Sequence, residues 1–171
     1  MSRSVRIRRE KLLAAAEGYL ELGLPRQALE SLAEIADPDK APFKVPYLQG
    51  EALRSLERHA EALEVFEAAL RENSDHVGLL MAMAWCYKRT DQLPRAIAAM
   101  DQAYQVSPRE AVILYNLSCY WSLAGNKAQA LSWLGRALRM DQDLRKLIPQ
   151  EHDFDTLRQD PDFLLVVAAP A

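Results

Sequence analysis

The chain has 171 residues, 50% of them hydrophobic and 26% charged, which is enough to fold around a core of its own. Its formal net charge of −3 provides no overall positive field for nucleic acid or an anionic membrane. The run FLLVVAA near the C-terminus is far shorter than the roughly 20 residues that span a bilayer, and MSRSVRIRREK has no apolar segment typical of a secretory signal. We therefore expect a cytoplasmic protein without a nucleic-acid or membrane partner.

Helical patterns alternate with short turns along most of the chain. Apolar residues recur three or four positions apart, as at Leu63, Phe66 and Leu70. Turn residues near positions 23, 57, 91 and 125 separate consecutive patterns, and the stretch DPDKAPFKVP is an irregular linker. The predicted helices are 9–22, 25–36, 46–57, 59–73, 77–90, 93–107, 111–124 and 127–141.

The helix pairs repeat at a constant step along the chain. Four columns of residues obey the step that separates the alanines at 28, 62, 96 and 130. Twelve positions before each alanine the residue is small (Ala16, Gly50, Ala84, Ser118). Nine before, it is large and apolar (Tyr19, Leu53, Tyr87, Trp121). Four after it stand Leu32, Phe66, Met100 and Leu134, and seven after it Ile35, Ala69, Ala103 and Ala137. Facing small residues let the two helices of a pair approach closely.

This pattern resembles the tetratricopeptide repeat (TPR) family, whose unit is a helix–turn–helix of about 34 residues, the same step as in this chain. The resemblance covers four units, at about 9–42, 43–76, 77–110 and 111–144. It implies an all-α fold, a right-handed superhelical solenoid forming a single domain over residues 1–171. The chain departs from the family where an early Trp is replaced by Leu12, Pro46, Leu80 and Leu114.

The segment from about 143 to 167 is predicted to cap the last unit. A solenoid ends in an apolar face that needs a cover, and this segment carries Phe154, Leu157, Phe163, Leu164 and Leu165. Asp160-Pro161 is typical of a helix start. The alternative is a disordered tail, which such closely spaced apolar residues disfavour.

No catalytic or metal-binding motif is present in the sequence. Glu151, His152, Asp153 and Asp155 in EHDFD offer oxygen and nitrogen ligands for a divalent ion, but the favoured interpretation is an acidic capping segment. Cys86 and Cys119 are not spaced as a CxxC motif and indicate reduced, buried thiols. We expect no enzyme activity, no cofactor and no metal.

The resemblance implies that the first helix of each unit lines a concave groove. Its groove positions, carried over column by column, are Leu13, Glu17 and Leu20, then Tyr47, Glu51 and Arg54, then Met81, Trp85 and Lys88, then Tyr115, Cys119 and Ser122. A merely solvated surface is mostly charged, whereas this set includes Leu, Tyr, Met and Trp, which favours an interaction site. The alternative is that these side chains are partly buried between neighbouring helices.

The expected function is non-catalytic binding of another protein, as an adaptor or a chaperone-like module. The predicted ligand is an apolar or aromatic peptide or helix, with a basic residue opposite Glu17 and Glu51. A clamp for the C-terminal carboxylate of heat-shock chaperones is not expected, because its Lys, Asn and Arg positions hold Leu13, Glu17, Leu48, Gly78 and Ala82, or one repeat later Tyr47, Glu51, Ala82, Val112 and Asn116. The alternatives are a structural subunit that self-associates through the groove and a regulatory subunit of an enzyme complex.

Overall fold

A computed structural model describes residues 3–169 of the chain. Eight α-helices lie close to the predicted positions: α1 (Arg3–Glu21), α2 (Pro25–Ala33), α3 (Lys44–Ser55), α4 (His59–Glu72), α5 (Val77–Arg89), α6 (Leu93–Val106), α7 (Ala111–Leu123) and α8 (Lys127–Met140). A ninth, α9 (Pro161–Ala168), follows them. Residues 3–169 contain no strand, so the predicted all-α class is confirmed. No helix in this range combines the length and the apolar character needed to cross a bilayer.

The helices group into two compact units, the first ending at Thr90 and the second beginning at Asp91. In the first unit each helix from α1 to α5 packs against the next one, and α3 also contacts both α1 and α5. In the second unit α7 packs between α6 and α8. The single domain and its repeat bounds stay predictions.

The columns of small residues form the interior of the helix pairs. Ala28, Ala62, Ala96 and Ala130 are fully buried, and so are three of the small residues twelve positions before them. The fourth, Gly50 in α3, is buried against α4: a Cβ added there would lie 2.2 Å from Cε1 of Phe66. The absence of a side chain at Gly50 therefore lets the fully buried Phe66 ring pack against the α3 backbone.

The turns that end the first helix of each pair share one backbone conformation. Gly23, Glu57, Asp91 and Gly125, which occupy the same position in successive units, all have φ between 57° and 73°. In the turns at Gly23, Glu57 and Gly125 the next N–H donates back to the carbonyl five residues earlier: Leu24 to Tyr19 at 2.8 Å, Arg58 to Leu53 at 2.9 Å and Asn126 to Trp121 at 3.0 Å. This is the Schellman motif, in which a left-handed residue satisfies the last carbonyls of a helix.

Helix α1 begins six residues earlier than predicted. The added turns end at Arg8, whose Nη2 is 3.2 Å from Oε2 of Glu34, just after α2, and the adjacent Arg9 has Nη1 2.5 Å from Asp37 Oδ2. The Arg9–Asp37 pair is largely shielded from solvent. These contacts come from residues 26 and 28 positions away, so the local apolar pattern did not predict them.

The linker between α2 and α3 is irregular, as predicted. It contains a short 3₁₀ helix, Pro38–Lys40, and α3 then begins at Lys44. Pro46 lies in the first turn of α3, where its missing N–H leaves no helical hydrogen bond unmade.

The chain after α8 folds back on the second unit. Three 3₁₀ helices, Gln142–Lys146, Ile148–Gln150 and His152–Leu157, lead to α9, and we call residues 142–169 the tail. The first of them and α9 contact α8, and the third contacts α7. Asp160 caps α9 by accepting from the N–H groups of Asp162 and Phe163, with Pro161 in the first turn, as the sequence predicted.

Only part of the expected apolar cover is buried. Phe154, Leu157 and Phe163 are buried, but Leu164 and Leu165 are 52% and 71% exposed, so these two leucines do not contribute to the cover. Helix α9 rests on α8 through one side, and successive residues of a helix point in different directions. Phe163 takes the inward position, and the two leucines that follow it point outward.

Candidate partner-binding surface

The predicted groove residues of the first unit lie on α1, α3 and α5. Of the nine, Leu13 is buried in the core beside Ala16 and Leu32 and cannot contact a partner. The other eight are half-buried or exposed, and we call them the α1/α3/α5 surface: Glu17, Leu20, Tyr47, Glu51, Arg54, Met81, Trp85 and Lys88. That they form one binding surface stays a prediction.

Trp85 is the most exposed aromatic side chain of this set. It is 42% exposed in the middle of α5, although the residues on either side of it, Ala84 and Cys86, are fully buried. Met81 and Lys88 stand four positions before and three positions after it, which is the spacing of side chains on one face of a helix. The Lys88 Nζ lies 5.2 Å from the centre of the indole ring, a cation–π contact.

Tyr47 connects α3 to the start of α5. Its ring centroid lies 5.0 Å from that of His76 and 5.3 Å from that of Phe43. His76 in turn caps α5, with Nδ1 accepting from the N–H of Leu79 at 3.0 Å. Burial and the nearby Glu51 carboxylate raise the pKa of the Tyr47 hydroxyl, so it is a neutral hydrogen-bonding group at physiological pH.

Both acidic residues of the surface have basic partners within the chain. Glu51 receives two hydrogen bonds from Arg54, at 3.2 and 2.8 Å, which raise the pKa of the guanidinium. Glu17 lies 2.9 Å from Lys44 Nζ, a pair that the sequence did not reveal. The basic partner residue predicted opposite the two glutamates is therefore not needed to neutralise them.

The predicted groove residues of the second unit are covered by the tail. Tyr115, Cys119 and Ser122 are at most 4% exposed. The Tyr115 ring makes an edge-on contact with Phe154, with 5.9 Å between ring centroids, and Ser122 Oγ donates to the Asp153 carbonyl at 2.7 Å. No partner reaches these three side chains while the tail stays in place.

The residues of EHDFD separate into two groups. His152 and Asp155 are exposed, with 3.2 Å between His152 Nδ1 and Asp155 Oδ2. Arg158 Nε also donates to Asp155 Oδ1 at 2.7 Å. Glu151 and Asp153 instead lie next to Cys119, with one ligand atom of each residue within 4.8 Å of the others. No pattern in the sequence connected Cys119 to this acidic segment.

The other buried cysteine has no reactive character. Burial raises the pKa of the Cys86 thiol to about 11, and the nearby Arg54 lowers it only in part. Its sulfur lies 4.0 Å from His59 Nδ1, but burial and the positive charge of Arg89 lower the pKa of that imidazole. A neutral thiol beside a neutral imidazole provides no thiolate nucleophile at physiological pH.

Sequence profiles of the tetratricopeptide repeat match residues 13–77 and 53–103, which together cover more than half of the chain. The chain belongs to the tetratricopeptide repeat family. No curated protein sequence matches this TPR chain. The predicted family is thus confirmed, and with it a general role in protein–protein interaction.

Solved TPR proteins share the fold of this chain at low sequence identity. A MamA structure from Desulfovibrio magneticus RS-1 has a TM-score of 0.73 and 18% identity, covering 79% of this chain and 76% of its own. YrrB, described as a TPR protein with an unusual peptide-binding site, has a TM-score of 0.72 and 18% identity, covering 81% and 72%. TTC0263 from Thermus thermophilus has a TM-score of 0.69 and 22% identity, covering 87% and 82%. These similarities confirm the predicted solenoid class of fold.

Proposed function

We propose that this TPR protein is a non-catalytic adaptor or chaperone-like module that binds an apolar or aromatic peptide or helix on the α1/α3/α5 surface. The observation that carries the proposal is the exposure of Trp85 between the buried neighbours Ala84 and Cys86. A Trp ring has a large apolar area, and fixed aromatic rings of this kind dominate many protein interfaces.

The neighbours of Trp85 define the chemistry of the partner segment. Met81 adds a flexible apolar side chain that adapts to different ligands. Lys88 places a positive charge over the indole ring, with Nζ 5.2 Å from the ring centre. Because Glu17 and Glu51 are paired within the chain, we infer that the preferred segment is apolar or aromatic and needs no basic residue opposite the two glutamates.

A random-peptide display library, selected on the full chain, tests this proposal. Peptides that bind should be apolar or aromatic, and Trp85→Ala should weaken their binding about 30-fold or more, since a hot-spot Trp contributes roughly 2–4 kcal/mol. Leu123→Ala, which truncates a similarly exposed residue of α7, is the control and should leave the affinity unchanged. Isothermal titration gives the affinities, and circular dichroism checks that the variants remain folded.

Two outcomes would contradict the proposal. In the first, the selected peptides bind Trp85→Ala as tightly as the unsubstituted chain. In the second, Trp85→Ala unfolds the protein, which would place the ring in the core. Light scattering over a dilution series tests the alternative that copies of the chain bind each other: a mass that stays monomeric at all concentrations excludes self-association as the function.

A further inference from the structure

We propose that Cys119, Glu151 and Asp153 form a binding site for one divalent cation of borderline softness, such as Zn²⁺, which fastens the tail to α7. One ligand atom from each of the three residues lies within 4.8 Å of the other two. Cys119 lies on α7, and the two carboxylates lie at the start of the 3₁₀ helix His152–Leu157. A bound ion would therefore bridge two segments that are distant in sequence.

The ligand set determines which ion fits. A thiolate favours Zn²⁺ and similar ions over Mg²⁺ and Ca²⁺, which take oxygen ligands. Zn²⁺ binds sulfur at about 2.3 Å and carboxylate oxygen at about 2.0–2.2 Å, so tetrahedral ligand atoms lie roughly 3–4 Å apart. The ligand atoms now lie within 4.8 Å of one another, so the side chains must move closer together to reach that range.

Burial makes this cluster unlike an ordinary acidic surface. Cys119 is 2% exposed and Asp153 is 8% exposed, while Glu151 is half-buried. A thiol and two carboxyl groups gathered largely out of solvent are a donor set that a divalent ion can bind. A divalent ion would supply two positive charges at the ligand atoms themselves.

Tyr115 provides a second and independent observation. Its hydroxyl is buried, has no hydrogen-bond partner among the described residues, and belongs to a side chain that is 3% exposed. Tyr115 stands one helical turn before Cys119, and its ring contacts Phe154, the neighbour of Asp153.

An orphaned buried hydroxyl is costly, because a group taken out of water loses its hydrogen bonds. With three protein ligands, a zinc ion has a fourth position for water. A water bound there would be a hydrogen-bond partner for the Tyr115 hydroxyl. The ion would then account for both the acidic cluster and the unpartnered polar atom.

Titration of the metal-free full chain with Co²⁺ and Zn²⁺ tests the site. Co²⁺ should bind with a stoichiometry of one and produce a thiolate-to-cobalt charge-transfer band in the near ultraviolet. Zn²⁺ should displace it and raise the melting temperature, since a ligand that binds only the folded state stabilises it. Cys119→Ser should abolish the band, and Asp153→Asn should weaken binding roughly tenfold or more.

Cys86→Ser is the matched control, because it removes the other buried cysteine, which lies in the first unit, and should leave the band unchanged. If Cys119→Ser or Asp153→Asn fails to fold, Glu151→Gln replaces it, since Gln keeps the oxygen that accepts from the Asp153 N–H. This variant should also bind Co²⁺ roughly tenfold more weakly. Absence of the band in the unsubstituted chain, or metal binding that persists undiminished in the folded ligand variants, would overturn the proposal.

Discussion

At the scale of single residues, the close approach of α3 and α4 depends on Gly50. The Phe66 ring occupies the space that a side chain at position 50 would need, with Cε1 2.2 Å from the position of an added Cβ. Phe66 is itself fully buried, so it has little room to move. A small residue is therefore needed at this position of the repeat because of packing between the helices, and not because of helix propensity.

Gly50→Ala should therefore destabilise the protein by about 1–3 kcal/mol, the usual range for an overpacked core. Gly18→Ala is a matched control, because Gly18 is also helical and an added Cβ there meets no atom within 4 Å. That substitution should stabilise by up to about 1 kcal/mol through helix propensity. Urea denaturation measures both. Equal effects of the two substitutions would show that propensity alone decides at position 50.

At the scale of elements, the turns differ in how well their residues suit a left-handed backbone. Gly23 and Gly125 adopt it without a steric penalty, whereas Glu57 has φ 58° and Asp91 has φ 57°. A residue with a Cβ loses roughly 1–2 kcal/mol in this conformation. The turns after α3 and α5 therefore carry backbone strain that the turns after α1 and α7 avoid.

Glu57→Gly should raise the free energy of unfolding by about 0.5–1 kcal/mol, because glycine removes the strain but has more freedom when unfolded. Gly125→Ala should lower it by about 1 kcal/mol, and no neighbouring atom lies within 4 Å of the added Cβ. Thermal denaturation of the two variants shows whether each substitution raises or lowers the stability. A destabilising Glu57→Gly would indicate that this side chain contributes more than its backbone strain costs.

The tail depends on charge as well as on apolar contacts. Hydrogen bonds from Lys127 lower the pKa of Asp160, and those from Arg158 and His152 lower the pKa of Asp155. A similar bond from Lys146 lowers the pKa of Asp143. A carboxyl whose pKa is lower in the folded state stabilises it above the unfolded pKa, and this contribution is lost as pH falls through the folded pKa.

We therefore expect the tail to loosen below about pH 4, the ordinary range of Asp. Hydrogen exchange of α9 amides should increase there before that of α3 and α4 amides. Asp160→Asn should reduce this acid dependence, because it removes one of the titrating groups. The expectation fails if α3, α4 and α9 lose protection together and Asp160→Asn changes nothing.

At the scale of the whole molecule, the tail determines which groove positions are accessible. It buries Phe154, Leu157 and Phe163, and it covers Tyr115 and Ser122 of α7. Each fully buried apolar side chain contributes roughly 1.5–3 kcal/mol. Together these contributions are comparable with the total stability of a small domain.

Deletion of residues 150–171 should consequently lower the melting temperature and promote aggregation through the uncovered α7. Differential scanning fluorimetry and light scattering measure the two effects. Leu165→Ala in the full chain is the control and should change little, since that side chain is 71% exposed. A truncated chain that is monomeric and equally stable would show that the tail has no structural role.

The sequence by itself determined the repeat, the helix pairs and the buried columns. All three follow from the spacing of residues within a single repeat unit. A stripe of apolar residues on a helix is buried in the folded protein, regardless of which element packs against it. The small columns at Ala28 and Gly50, the cap at Asp160 and the exposure of Trp85 could all be predicted in this way. The start of α1 could not, because Asp37 and Glu34 stabilise it from outside the helix.

Only the tertiary structure decided which groove positions remain accessible and which residues meet. Tyr115, Cys119 and Ser122 occupy the same groove positions of the repeat as residues that are accessible in the first unit. The tail nevertheless buries all three. Ser122 and Asp153 are 31 residues apart, and no local pattern specifies that one donates to the carbonyl of the other. The same folding back brings Cys119 next to Glu151 and Asp153, because contacts between distant segments depend on how the whole chain packs.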